Sequence, residues 1–155
     1  MKKVLSLLLI TVGVFTLAGC ESKSNESEKK LTCTNTTTIT DGVKADLRYE
    51  VNYKGDYVTT VKSTEKVISN QESYLEAYKT QVESIYSPYK DVKYYDYDVT
   101  VKDDTMTSVV TIDYSKIDTD KLIEIDSNNS TLIKDGKVKL ADIQAVYESI
   151  GATCK

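Results

Sequence analysis

Apolar and polar residues alternate from Leu47 onward. Leu47, Tyr49, Val51 and Tyr53 are separated by Arg48, Glu50, Asn52 and Lys54. A period of two is that of a half-buried strand. Gly55-Asp56 marks a turn, so residues 44–68 are predicted to form a long hairpin. A two-residue loop would pair odd positions with even ones. A three-residue loop, Lys54 to Asp56, opposes Tyr53 with Tyr57, Val51 with Thr59 and Tyr49 with Val61. That register keeps the apolar set on one face and is the one expected. Asp41-Gly42 is an earlier turn signal. It makes the threonine-rich stretch from Leu31 to Thr40 a strand, expected at an edge of the sheet.

The period then changes. Leu75, Tyr78, Val82, Ile85, Tyr86 and Tyr89 recur at about 3.6 residues and predict a helix over 69–87. Ser69 and Glu72 have the spacing of a capping box, and Pro88 ends the run. Alternation returns with Tyr95, Tyr97, Val99 and Val101. A two-residue loop at Asp103-Asp104 places Met106, Ser108, Val110 and Ile112 on the same face. Residues 117–125 carry a weaker pattern, with a short helix expected near Asp120 to Glu124. Ser127 to Ser130 is expected to be a loop, and Asp135-Gly136 a turn. Leu140, Ile143, Val146, Tyr147 and Ile150 form a last amphipathic helix, with Gly151 in the position that follows a helix end. The order is strands, helix, strands, helix. It defines an α+β domain: an antiparallel sheet of about five strands with two main helices packed on one face. The opposite face, with Arg48 and Glu50, is expected to be wet.

The first nineteen residues are of another kind. Lys2 and Lys3 precede an uncharged, largely apolar run from Val4 to Leu17, which leads into Leu17-Ala18-Gly19-Cys20. A charged start, a short apolar middle and small residues at a cut site make a secretory signal peptide. The run is shorter than the roughly 20 residues of a comfortable membrane span. The tetrapeptide resembles the lipobox of bacterial lipoproteins. In that family the thiol of the cysteine receives a diacylglyceryl group and the preceding peptide is removed. The resemblance makes Cys20 the lipidated residue. Residues 21–30, ESKSNESEKK, offer nothing to a core and read as a disordered tether. The expected organisation is a signal peptide over 1–19, a lipidated cysteine and tether over 20–30, and one α+β domain over 31–155. The expected location is the cell membrane, with the domain held by its lipid and facing away from the cytoplasm.

Charge and cysteines change the picture in two ways. The chain carries a formal charge of −4, and removing Lys2 and Lys3 with the signal peptide takes it to −6. An acidic domain argues against nucleic acid as a partner, because phosphate binding needs basic patches. Three cysteines are present. With Cys20 lipidated, Cys33 and Cys154 remain, in an exported domain where disulfides form. A bond between them would tie the two ends of the domain together; the alternative is two free thiols.

Candidate chemistry is sparse. There is no histidine, which removes most acid–base schemes and the commonest metal ligand. No serine sits in a nucleophile-elbow setting, and no glycine-rich phosphate loop or EF-hand spacing occurs. No cofactor is implied. Asp96 and Asp98 share one strand face, and Asp103, Asp104, Asp118 and Asp120 lie at turns or element ends. Solvated faces and turn chemistry explain them; a weak Ca²⁺ site is the sharper alternative. The twelve tyrosines are the most unusual feature of the composition. Tyr49, Tyr53, Tyr78, Tyr95, Tyr97 and Tyr147 fall on predicted core faces. Tyr57, Tyr74, Tyr89 and Tyr94 are less well accounted for, and exposed tyrosines suit contacts with glycan or protein.

The lipobox, the tether, the turn from Tyr53 to Asp56, the helix over 69–87 and the last helix running into Gly151-Ala152-Thr153-Cys154-Lys155 together resemble the YehR-like lipoprotein family. That family's function is uncharacterised, so the resemblance implies a compact α+β domain and no active residues. The expected activity is a non-catalytic binding or interaction module at the cell envelope, contacting an envelope protein, a cell-wall glycan or a small ligand. Two alternatives stay open: an accessory structural lipoprotein of an envelope complex, and a carboxylate-dependent enzyme acting on glycans.

Overall fold

The computed structural model describes residues 26–155. The signal peptide over 1–19, Cys20 and residues 21–25 of the tether lie outside the described residues. Alternating residues form the long strands β1 (Lys29–Thr40), β2 (Val43–Lys54), β3 (Tyr57–Ser69), β4 (Tyr95–Lys102) and β5 (Thr105–Asp113). Two short strands, β6 (Ile133–Lys134) and β7 (Lys137–Val138), make a separate ribbon, and β8 (Thr153–Cys154) follows the last helix. The helices are α1 (Glu72–Tyr86), α2 (Thr119–Ile125) and α3 (Leu140–Ser149). The main sheet is antiparallel throughout, in the order β4-β5-β3-β2-β1-β8. The α+β expectation holds, with β8 as a sixth strand. Two residues are too few to show a period, so β8 left no pattern in the sequence.

The β4–β5 hairpin has the predicted register. Val101 faces Met106, Val99 faces Ser108, and Tyr97 faces Val110 across a two-residue loop at Asp103-Asp104. The β2–β3 hairpin does not follow the expected three-residue loop. Its loop is Gly55-Asp56 alone, with Lys54 opposite Tyr57 and Tyr53 opposite Val58. Gly55 has a φ of +56°, which suits the first position of a tight primed hairpin turn. The parity problem is solved further along. The register shifts between Tyr53–Val58 and Asn52–Thr60, so Thr59 is an extra residue in β3. Beyond this bulge Val51 faces Val61 and odd positions again share a face. The turn takes its favoured length and the bulge restores the apolar face.

Other differences are local. The capping box does not form: Ser69 ends β3, and α1 starts at Glu72, with Gln71 in the cap position and making no side-chain cap. Ser69 accepts instead from the Gln71 amide, at 3.1 Å. Strand β1 begins at Lys29, so the last two residues predicted as tether pair with Tyr53 and Asn52. Strand pairing uses backbone groups and needs no apolar side chain, and Lys30 adds an ion pair to Glu50. The weakly patterned residues 117–125 do hold a helix, α2, capped by the Asp118 carboxylate. Ser127 to Thr131 form a 3₁₀ turn. In α3 only Ile143 and Tyr147 are buried, while Val146 and Ile150 stay exposed. Gly151 follows α3 with a φ of +86°, as predicted for a helix end.

Inward residues of the sheet form two apolar clusters. One gathers Cys33, Val51, Val58, Val61, Tyr95 and Val110 under α2, α3 and the β6–β7 ribbon, with Leu122, Val138, Ile143 and Tyr147. The other gathers Val43, Ala45, Val67, Val99 and Met106 under Leu75 and Val82 of α1. The outer face carries Lys44, Arg48, Lys62, Lys66, Asp96 and Asp98, all exposed.

Candidate functional site

The two clusters do not close against each other completely. Between them the inner face of the sheet carries a polar island, set by register. Leu47, Glu65 and Ser108 stand side by side across β2, β3 and β5. Tyr49, Ser63 and Val110 form the next row. Val61 and Val67, two residues beyond on either side in β3, return to the apolar core. Tyr86, from the last turn of α1, completes a cleft of about 270 Å³ over this island.

Glu65 is the charged member. Its carboxylate accepts a 3.0 Å hydrogen bond from the Tyr78 hydroxyl. No lysine or arginine pairs with it among the described residues. The tyrosine rings around it are held from behind. Tyr49 stacks on Tyr147, with centroids 4.0 Å apart and planes at 11°. Tyr86 packs on Tyr97 at 5.8 Å in a tilted arrangement. The hydroxyls of Tyr78, Tyr49 and Tyr86 are harder to ionise than a free tyrosine. Burial first, and then the charge of Glu65 and the hydrogen bond to it, push Tyr78 up to about 12. Burial followed by Glu65 also raises Tyr49. Burial raises Tyr86, partly offset by the neighbouring Ser108 hydroxyl. The result is one carboxylate framed by neutral phenols. Such a site can accept hydrogen bonds, pack against flat or apolar groups, and attract positive charge.

The residues singled out in the sequence lie elsewhere. Cys33 and Cys154 form a disulfide between neighbouring strands β1 and β8, closing a loop with a sequence separation of 121. Cys20 lies outside the described residues. Asp96 and Asp98 project from the outer face of β4, away from the cleft. Asp103 and Asp104 make the β4–β5 turn, where they share a shallow depression with Glu72 and Glu76. Asp118 caps α2 by accepting from the amides of Asp120 and Lys121. These aspartates sit at opposite ends of the β4–β5 hairpin. Among the described residues no three acidic or cysteine side chains are grouped so as to hold a metal ion. Among the described residues no second carboxylate lines the cleft beside Glu65, and an acid pair like that of a glycosidase is not seen there. Another depression, at the start of α3, is lined by Asp56, Tyr57, Lys139, Leu140, Ala141 and Gln144.

Glu65 was not anticipated as a site residue. A signal for it exists: in the inward series Val61, Ser63, Glu65, Val67, a serine and a glutamate occupy positions that the period assigns to the core. Of the tyrosines, Tyr95 and Tyr147 are buried, and Tyr49, Tyr53, Tyr78 and Tyr97 are half-buried. Tyr57 and Tyr94 are exposed, each beneath a lysine, Lys137 and Lys116 respectively. Tyr74 and Tyr89 are half-buried.

Fold and cleft define a class: an α+β domain built on one main antiparallel sheet, roofed on one face by helices, with a tyrosine-walled hollow at its centre. The chain belongs to the DUF1307 family of proteins of unknown function, whose model matches residues 31–152. Among solved structures it is similar to the Escherichia coli YehR protein, determined by NMR. Identity there is 21%, the TM-score is 0.57, and the match covers 84% of this chain and 92% of that one. It is also similar to an NMR structure of a protein from Streptococcus pneumoniae TIGR4. That match has 14% identity and a TM-score of 0.52, over 100% of this chain and 96% of the other. These likenesses bear out the YehR-like resemblance seen in the sequence. No curated protein matches the chain.

Proposed function

We propose that this chain is an exported lipoprotein, held at the cell membrane by lipid on Cys20 and facing away from the cytoplasm. Its domain acts there as a non-catalytic binding module. The observation that carries the binding reading is the cleft: a single carboxylate, Glu65, beside the rings of Tyr49 and Tyr86, each held from behind by another tyrosine. Pre-set walls suit recognition, because little ordering remains to be done when a ligand enters. The anchoring reading rests on the leader pattern that ends in Leu17-Ala18-Gly19-Cys20. The bond from Cys33 to Cys154 supports it, since such bonds persist in oxidising compartments outside the cytoplasm.

The test is fractionation of cells expressing the full chain and its Cys20→Ala variant. The parent chain is expected in the membrane fraction, with a metabolically incorporated fatty-acid label that resists SDS. The variant is expected without label and released from the membrane. A Cys20→Ala protein that keeps its label and its membrane fraction would rule out anchoring at this cysteine.

A further inference from the structure

The cleft's charge is out of balance with its surroundings, and this points to what it binds. Glu65 stands in the inward row of β3, between Ser63 and Val67, where burial removes part of its water. A carboxylate that has lost part of its water is stabilised by a counter-charge or by hydrogen-bond donors. It has one neutral donor, Tyr78, at 3.0 Å. The lysines of its own strand, Lys62 and Lys66, are on the opposite face of the sheet and exposed. Every ion pair seen among the described residues involves other carboxylates. Meanwhile Tyr49 and Tyr86 border the same hollow, each ring backed by another tyrosine. The negative face of an aromatic ring attracts cations within about 6 Å, and cages of such rings bind ammonium groups.

We propose that this cleft receives a small organic cation, an alkylammonium or guanidinium group, with Glu65 as its counter-charge and Tyr49 and Tyr86 as its walls. The proposal rests on the binding-module reading and names its ligand class. The volume, about 270 Å³, lies just under the roughly 300–1,000 Å³ of pockets that enclose whole drug-sized molecules. The cleft therefore takes a charged head group and leaves the rest of the ligand outside. Tyr78 orients the Glu65 carboxylate through its hydroxyl.

The test uses the full chain in detergent micelles with its disulfide intact. The probes are choline, butylguanidinium, the neutral choline isostere 3,3-dimethyl-1-butanol, butyrate, and N-acetylglucosamine. Assigned ring resonances of Tyr49 and Tyr86, two of the twelve tyrosines, report on the site directly. Choline or butylguanidinium is expected to saturate, with the neutral isostere and butyrate at least tenfold weaker. Glu65→Gln should weaken the cation at least tenfold while leaving circular dichroism and melting temperature near those of the parent. Tyr86→Phe, which keeps the ring, should retain most of the affinity, and Tyr86→Leu should lose it. Equal affinity for cation and neutral isostere, or no effect of Glu65→Gln, overturns the proposal. Saturable binding of N-acetylglucosamine without any cation also overturns it, while leaving the binding-module reading in place. If no probe shifts the cleft tyrosines, both fall.

Discussion

The two halves of the core are closed by different means. The cluster under α1 is local. Leu75 and Val82 lie on the helix that joins β3 to β4, and they cover Val67, Val99 and Met106 from the strands flanking that helix or paired with them. The cluster under α3 is assembled from distant parts of the chain. Cys33 and Val51 come from its start, and Val138, Ile143, Tyr147 and Ala152 from its end. Among the described residues the disulfide lies in this second half, at the point where β8 meets β1 through two residue pairs. A two-residue strand cannot hold a chain end by itself. The covalent bond supplies what the short pairing lacks, and where neighbouring elements close over each other no such bond is needed.

The sharpest way to break this comparison is to remove the bond. In the chain-entropy model a loop of this length contributes up to roughly 4–5 kcal/mol. The Cys33→Ala/Cys154→Ala protein should lose stability on that scale in urea melts. Its loss should be uneven: at low urea, amides of α3 and β8 should exchange faster while those of β5 stay protected. Uniform loss of protection would show that the two halves unfold as one.

A core truncation in the other half comes next. Leu75 is fully buried, and Leu75→Ala should cost about 2–5 kcal/mol. The cost should be the same with and without the disulfide, within about 0.5 kcal/mol, because distant sites add. Ile143→Ala, on the helix that precedes β8, should instead couple to the disulfide in a double-mutant cycle. Coupling of Leu75 rather than Ile143 would reverse the comparison.

Much of this architecture was legible in the sequence, and what escaped was non-local. The strands β2 to β5 and helices α1 and α3 each carry a period long enough to read, and Asp103-Asp104 fixed its hairpin because turn length and apolar parity agreed. At Gly55-Asp56 the two disagreed, and a bulge at Thr59 reconciled them in a way that no periodicity displays. The disulfide was reachable by cysteine arithmetic once the lipobox resemblance had set Cys20 aside. The cleft was not. Glu65 is visible as an irregularity in a strand pattern, but its meeting with Tyr49 and Tyr86 depends on how β2, β3 and α1 are placed together.

The cleft, on the seam between the halves, gives a pH-dependent test. Tyr78 is pushed up to about 12 by burial and by Glu65. An unfolded tyrosine ionises near 10. Between these values the folded protein keeps a proton that the unfolded chain has lost, so stability declines as pH rises from about 10 to 12. Tyr78→Phe has no proton to lose, and its urea midpoint should fall less steeply over that window than the parent's. Parallel slopes would mean that Tyr78 ionises as freely in the fold as outside it. Tyr114, also pushed up to about 12 by burial, lies in the α3 half, and Tyr114→Phe provides the matching measurement there.

The smallest expected effect lies on the outer face, where neither cluster reaches. Lys30 pairs with Glu50 across β1 and β2, and Arg48 joins the same carboxylate at 3.4 Å. The hydrogen bond from Lys30 is the largest of the influences that hold the Glu50 carboxyl below its ordinary value. A lowered folded pKa means stabilisation that is present above the carboxylate's unfolded pKa and lost as pH falls through the folded one. Both side chains are solvated, so Lys30→Ala should cost only about 0.2–1 kcal/mol, and less in high salt. A melting temperature that drops well beyond this range, and does so equally at low and high salt, would need another explanation. It would mean that the first pairs of β1, Lys29 with Tyr53 and Lys30 with Asn52, rely on this side chain to stay closed. The start of the chain would then resemble its end: a short pairing that needs help from outside the backbone, supplied at one place by charge and at the other by sulfur.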